Sequence, residues 1–333
     1  MKHFAPWQEE IFGRAARALA EGKLGHALLL TGPPDLGKHE VAEALAARLL
    51  CSSPRPDGHA CGSCRACRLL PAQSQGLATG QLHPDLQRVG LEPNEKGDKL
   101  RTEITVDQIR RLGQWFALTP QFGGAQVALV EPADLMNTSA GNALLKTLEE
   151  PSPGRYLILV SSRPGRLPAT IRSRCQRLEF RLPPAGQARE WLGSQGFDPR
   201  RADTALAAAR GNPGLAARWL REGGLEMREA VSSSLDAIAS GRSAPISVAQ
   251  GWLGDEHGEM RLRFAADLLV DRASSDQAGA ERFASLFDGF NRLRAQLGAP
   301  LRHDLVLAGL LLEWRNMVSG ASSRAGRSGG ARE

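Results

Sequence analysis

The chain has 333 residues, of which 42% are hydrophobic and 23% charged, with a formal net charge of +6. That profile excludes a disordered or fibrous polypeptide and predicts an ordinary soluble protein too long for one compact core, with two or three domains. The charge excess can come from arginine-rich solvated faces as readily as from a nucleic-acid groove, so it decides little about partners.

From the amino terminus, Met1 to Phe12 carries Lys2, His3, Glu9 and Glu10 and no continuous apolar stretch, which predicts no targeting peptide and a cytosolic protein. Trp7, Ile11, Ala15, Ala18 and Leu19 then fall at helical spacing over residues 5 to 21, until Gly22 and Gly25 interrupt. Ala27 to Leu30 reads as a buried strand, followed by the glycine loop Gly32 to His39 and an alanine-rich helix from Glu40 to Leu50. Strand, glycine loop and helix in that order are the setting of a phosphate-binding loop. From Cys51 to about Gly80 periodicity gives way to Pro, Gly, Ser and Cys, the mark of an excursion from the core. Thr105 and Gln108 form a capping box ahead of Ile109, Leu112 and Phe116. Gln126 to Val130 and Tyr156 to Val160 read as further buried strands, separated by a helix from Asn142 to Glu150 that Pro151 stops. The alternation predicts a parallel, doubly wound sheet ending near residue 181.

Beyond Pro183 and Pro184 the chain reads as helices, one group from 182 to 222 and a larger one from 223 to 318, with Gly223 and Gly224 between them. In the second group Phe283, Leu286, Phe287, Phe290, Leu293 and Leu297 make one apolar stripe. Leu301 to Trp314 is apolar on most of its circumference, as in a helix covered on several sides, by its own bundle or by another subunit. Its longest apolar run, Leu305 to Leu312, is short of the roughly 18 residues that span a bilayer, so no membrane contact is expected. Ser, Gly, Ala and Arg fill residues 319–333, which predicts a disordered tail.

A phosphate loop works because glycines let backbone N–H groups converge on phosphate, a lysine neutralises it, and a following Ser or Thr hydroxyl ligates magnesium. Gly32, Gly37 and Lys38 supply the first two parts, but the third position is His39, a poor ligand for a hard, oxygen-seeking ion. The second strand ends Val130-Glu131-Pro132, so Glu131 has no acidic neighbour to polarise water, and Asp134 stands two residues further along. ATP binding is therefore expected to be weak or absent, and the loop vestigial; a turn that binds nothing is the alternative.

Of five cysteines, Cys51, Cys61, Cys64 and Cys67 cluster and Cys175 stands apart, unlike a dispersed disulfide framework. The two-residue spacings let thiolates converge on one ion, which predicts a structural Zn2+ site stapling the excursion. An iron–sulfur cluster is the rival, but its run needs another cysteine where Pro71 stands, so only Cys51 could complete the ligand set. Four thiolates leave no open position for catalysis, and His59 reads as a solvated loop residue.

After the third strand comes Ser173-Arg174-Cys175, which with the stretch Asn142 to Pro151 and the four-cysteine excursion resembles the delta prime branch of the bacterial AAA+ clamp-loader family. The likeness covers residues 24 to 180 strongly and the remainder in general character. It implies an α/β P-loop NTPase-like core with a zinc-binding insertion at 1–181, a helical lid at 182–222 and an all-α collar at 223–318. Within DNA polymerase III the implied partners are gamma or tau ATPase subunits, a delta subunit, the sliding clamp and primer-template DNA. The family's Ser-Arg-Cys arginine reaches into a neighbour's ATP site, which makes Arg174 an arginine finger in trans; a surface ion pair with Glu179 is the plainer reading. Active relatives carry a lid arginine in a Gly-x-x-Arg pattern, whereas Gly211-Asn212-Pro213-Gly214 puts Gly214 there. The resemblance thus implies a subunit without ATPase activity of its own. The competing readings are a working gamma/tau-type ATPase, which His39, Pro132 and Gly214 oppose, and a zinc-bearing DNA-binding module, which no aromatic-rich basic stretch supports.

Overall fold

Strand β1 (Ala27–Thr31) is apolar along its length because both of its faces are covered, the condition of a central strand in a parallel sheet. It pairs in parallel with β4 (Arg155–Ser161) on one side and with β5 (Gln176–Glu179) on the other. β4 pairs with β3 (Gln126–Val130), and β3 with β2 (Leu86–Val89), giving five parallel strands in the order β2-β3-β4-β1-β5. This computed structural model describes residues 4–70, 83–94, 96–122, 124–275, 280–298 and 301–325.

Alternate residues of the strands point to opposite faces. Leu28, Leu30, Val127, Leu129, Ile158 and Val160 pack on one face with helices α1 (Pro6–Ala20) and α2 (Lys38–Leu50). On the other face Leu29, Ala128, Val130, Leu157 and Leu159 meet α4 (Val106–Phe116), α5 (Thr138–Glu149) and α6 (Ala169–Arg174). A four-residue helix, α3 (Arg65–Arg68), sits in the cysteine excursion, whose continuation at 71–80 lies outside the described residues.

The predicted strands coincide with β1, β3 and β4. The sequence pattern had no signal for β2 and β5, whose sequences LQRV and QRLE are short and polar. Helix α5 begins at Thr138, earlier than its apolar pattern suggests, because the Asn137 side chain accepts the Ala140 N–H at 2.9 Å and starts the helix among small residues. The Thr105 cap is present, its N–H donating to Gln108 Oε1 at 2.9 Å.

The chain divides into two compact units, Met1–Arg218 and Trp219–Glu333. After the sheet come α7 (Ala185–Ser194), α8 (Pro199–Ala208) and α9 (Pro213–Glu222). The second unit contains α10 (Gly224–Ala239), α11 (Pro245–Leu253), α12 (Gly258–Ser275), α13 (Ala280–Ala295) and α14 (His303–Ala325). Phe264, Leu269, Phe290 and Trp314 are buried in it, and the Trp314 indole donates to Leu235 O at 3.0 Å.

Helix α14 departs from the expectation of cover on several sides. Leu307, Leu311 and Trp314 are buried, but Leu305, Val306 and Leu312 are exposed, as is Leu301 just before the helix. Among the described residues the bundle covers the face that carries Leu307, Leu311 and Trp314. Helix α14 extends to Ala325, and the remainder of the expected tail lies outside the described residues. Among the described residues no helix is long and apolar enough to cross a membrane.

Candidate functional site

The glycine loop leaves the carboxyl end of β1 and enters α2, where open parallel sheets carry their ligand sites. Gly32 has φ 136°, and a Cβ there would lie 2.2 Å from Phe180 O, so only glycine fits between the loop and the segment after β5. Lys38 is buried, and its ammonium donates to Pro33 O at 2.6 Å. Burial lowers its pKa from the usual lysine value against the pull of Glu131, Asp35, Asp134 and Glu40.

His39, expected to be a poor magnesium ligand, and Glu131, which could stand in for the aspartate at the end of the second strand, meet each other: Nδ1 lies 2.6 Å from Oε2. That hydrogen bond raises the His39 pKa, over the opposing effect of burial. The imidazole and carboxylate that a metal-dependent site would keep apart for the ion are instead joined across the mouth of the loop. Asp134 is turned elsewhere. Its buried carboxylate accepts Ser161 Oγ at 2.7 Å, Ser162 N at 3.1 Å and Arg163 Nε at 3.2 Å, beyond and at the end of β4. Burial alone would raise its pKa, but these donors outweigh it and hold the carboxyl below the usual value. Glycine 214 abuts the outside of the loop, where a Cβ would lie 1.5 Å from Asp35 O.

The cysteine cluster is assembled from the end of α2 and from the excursion around α3. The sulfurs of Cys51, Cys61, Cys64 and Cys67 all lie within 4.8 Å of one another, and Cys61 Sγ is 3.9 Å from Cys67 Sγ. A tetrahedral site with metal–sulfur bonds of about 2.3 Å has sulfur–sulfur edges of about 3.8 Å, so the four residues fit a single ion. Backbone N–H groups support the sulfurs: Cys61 N–H points to Cys51 Sγ at 3.3 Å, and those of Ser63 and Cys64 to Cys61 Sγ at 3.4 and 3.2 Å. Hydrogen bonds from Ser63, with help from Cys64, pull the Cys61 thiol down to about 5, whereas burial pushes Cys67 up to about 12. At Cys64 burial acts upward, but N–H groups of Cys67 and Ser52 bring the value below the usual thiol range.

His59 is not the solvated residue its loop context suggested. Its ring stacks on Phe12 with centroids 4.1 Å apart, and Nε2 lies 3.1 Å from Glu9 Oε1. It pins the excursion to α1 and is not part of the cysteine set.

Arg174 is the last residue of α6, where the chain turns into β5. Its side chain is 38% exposed, and its guanidinium donates to Glu149 Oε1 at 2.8 Å and Thr170 O at 3.1 Å. The alternative pairing with Glu179 is not formed, because Glu179 engages Arg181 at 2.7 Å. Cys175 beside it is buried, and burial pushes its thiol up to about 11, which marks a packing residue. Sequence reasoning missed the contacts that hold the phosphate loop from behind, which come from Trp7, Gln8, Asn212 and Arg218. No local motif announces them, since Asn212 and Pro34 are 178 positions apart.

A family model described as DNA polymerase III, delta subunit, matches residues 7–184. The chain is 35% identical over 95% of its length to DNA polymerase III subunit delta' of Pseudomonas aeruginosa, covering 99% of that protein. It is 34% identical over 83% of its length to the protein of the same name from Escherichia coli K12, covering 78% of it. Among solved structures it is similar to a DNA polymerase III gamma subunit-related protein from Thermotoga maritima, with TM-score 0.51, 17% identity, and coverage of 93% of this chain and 99% of that one. At that identity the structural likeness speaks for the fold alone.

Proposed function

The chain belongs to the DNA polymerase III delta prime family of clamp-loader subunits, and we propose that it serves its complex as the stator, closing a ring of ATPase neighbours without hydrolysing ATP itself. The observation that carries this reading is the His39–Glu131 contact at 2.6 Å. It occupies the two positions from which a P-loop ATPase handles magnesium, and Asp134 is too fully engaged to replace them.

Arg174 then acts outward. Half exposed and held only by Glu149 and a backbone carbonyl, its guanidinium can leave an ion pair worth little in solvent to enter the ATP site of an adjacent gamma or tau subunit. There it would neutralise charge developing on the transferred phosphoryl group. The four thiolates hold a structural zinc ion, which suits a closed tetrahedral set with no position left for water. Residues 1–181 form the AAA+ core, 182–222 the lid and 223–318 the collar, and the exposed Leu305, Val306 and Leu312 of α14 offer the collar an apolar face for other subunits. In this setting the delta subunit, the sliding clamp and primer-template DNA are partners through the complex, DNA being met along its backbone, and the protein works in the cytosol.

Reconstitution of the loader with wild-type or Arg174→Ala protein tests the proposal. DNA-stimulated turnover at the neighbouring pocket is expected to fall by roughly 10³ on substitution, while the isolated chain shows no turnover. Turnover by the isolated chain at the assembly's rate would favour the gamma/tau-type alternative, and an assembly indifferent to Arg174→Ala would remove the finger.

A further inference from the structure

At the amino edge of the sheet, the end opposite the phosphate loop, a cleft of about 500 Å³ opens between the last turns of α4 and α5. Phe116 and Leu157 line it with apolar surface, and Lys146, Glu150, Arg155 and His26 add charged and polar groups. We infer that this cleft docks an acidic segment of the adjacent ATPase subunit and so anchors that subunit independently of Arg174. The identity of the partner rests on the function proposed above, whereas the chemistry of the cleft does not.

That chemistry follows from which polar groups are already engaged. The last carbonyls of a helix lack intrahelical donors, so a cleft between two helix carboxyl ends would ordinarily be lined by acceptors and attract cations. Here those acceptors are taken within the chain. Arg155 donates from Nε to Phe116 O at 3.0 Å, from Nη2 to Leu118 O at 2.8 Å and from Nη1 to Pro153 O at 3.3 Å. His26 Nε2 lies 3.2 Å from Leu148 O. Among the described residues neither Arg155 nor Lys146 forms an ion pair, and Glu150 is the one carboxylate lining the cleft. The lining therefore keeps an excess of positive charge and of N–H donors, which a partner carboxylate satisfies. Leu118, whose carbonyl Arg155 holds, is 60% exposed beside the cleft and offers that segment an apolar contact.

Continuity with Arg174 points to the neighbouring subunit and not to a free small molecule. Glu149 holds the Arg174 guanidinium at 2.8 Å, and Glu150, the next residue, lines the cleft. On the other side Gln176, two residues beyond Arg174, accepts the Gly25 N–H at 2.7 Å, and His26, the next residue, lines the cleft too. A subunit that receives Arg174 must then lie across this opening. The bonds of Arg155 and His26 fix its walls before any partner arrives, so docking orders little of this chain.

Titration of the ATPase subunit with the full-length chain tests the anchor. Lys146→Glu reverses a charge at an exposed position, and Ala117→Trp fills the cleft from an exposed position that lines it. Each should weaken association by at least about tenfold, as loss of a central contact does. In the assembled loader the lost turnover should return when the variant is added in excess. Raising salt to about 0.5 M should shrink the effect of Lys146→Glu and leave that of Ala117→Trp. Arg174→Ala should instead keep its association without nucleotide and lose turnover at every concentration, so the finger and the anchor can fail separately. A photo-crosslinker at Gln114, also exposed and lining the cleft, should capture a segment of the ATPase subunit rich in Asp or Glu. If Ala117→Trp does not fold, Lys146→Glu decides. Wild-type affinity in the folded variants, or capture confined to DNA or to a second copy of this chain, would overturn the inference.

Discussion

Helix α2 carries a ligand-type loop at each end, and the two have met opposite fates. At its carboxyl end the four cysteine sulfurs face one another within 4.8 Å, supported by backbone N–H groups and by the Ser63 hydroxyl. At its amino end Lys38, His39 and the loop carbonyls are already satisfied by groups of the same chain. Both loops keep recognisable sequence motifs. The two loops differ in where their polar groups spend their hydrogen bonds, and a motif does not record that.

The largest effect that can break this contrast is metal removal. Among the described residues of the excursion little is apolar and buried, with Ala66 and Cys67 the buried residues of α3, so the ion should supply most of the order there. We expect one zinc per chain by elemental analysis, and loss of it in Cys64→Ser. Chelation should forfeit binding free energy on the order of 10 kcal/mol and open residues 52–70 to proteolysis. The His59 stack on Phe12 should then come apart while the α10–α14 unit melts as before. Metal-free protein whose excursion resists protease equally well would mean that the thiols are merely packed.

How much of this was legible follows the same division. The cysteine set was readable because its spacing is local and its chemistry is carried by side chains alone. The strands β1, β3 and β4 were readable because central parallel strands are continuously apolar, whereas β2 and β5 expose polar residues and give no such run. In the phosphate loop the sequence disclosed which groups were missing, a hydroxyl at position 39 and an arginine at position 214 among them, but not what holds the loop from behind. That depends on Trp7, Asn212 and Arg218, which tertiary structure brings to the loop from far along the chain. The exposed face of α14 was likewise hidden, since apolar composition does not say on how many sides a helix has neighbours.

A smaller effect sharpens the amino-end half of the comparison. Asp134, two residues beyond the place of a water-activating acid, serves three donors at and beyond the end of β4. Asp134→Ala should cost about 2–3 kcal/mol, because it strands a buried hydroxyl and an N–H as well as the Arg163 partner. The pH dependence has a definite sign. A carboxyl held below its unfolded value contributes stability that is present above about pH 4 and lost as pH falls through the depressed folded value. Thermal melts of wild type and variant should therefore converge only in acid. A variant of unchanged stability that alters nucleotide turnover would return Asp134 to the catalytic machinery.

The smallest effect concerns the contact on which the functional reading rests. His39 and Glu131 are 44% and 33% exposed, so solvent screening limits the pair to about 0.5 kcal/mol despite its short distance. Its direction is nevertheless diagnostic. A histidine whose folded pKa is raised gives its stabilisation fully below the unfolded value of about 6.5 and loses it as pH rises through the folded value. Glu131→Gln should narrow the gap between melting temperatures at pH 6 and pH 8, about the range over which the ring titrates, and NMR should show the His39 pKa falling toward its ordinary value. If magnesium with ATP lowers that pKa in wild-type protein, the ion has entered between the two side chains and the loop is a working site. If only the substitution does, the imidazolium holds the place of the metal, and the hydrolytic chemistry of the complex must come from the subunits around it.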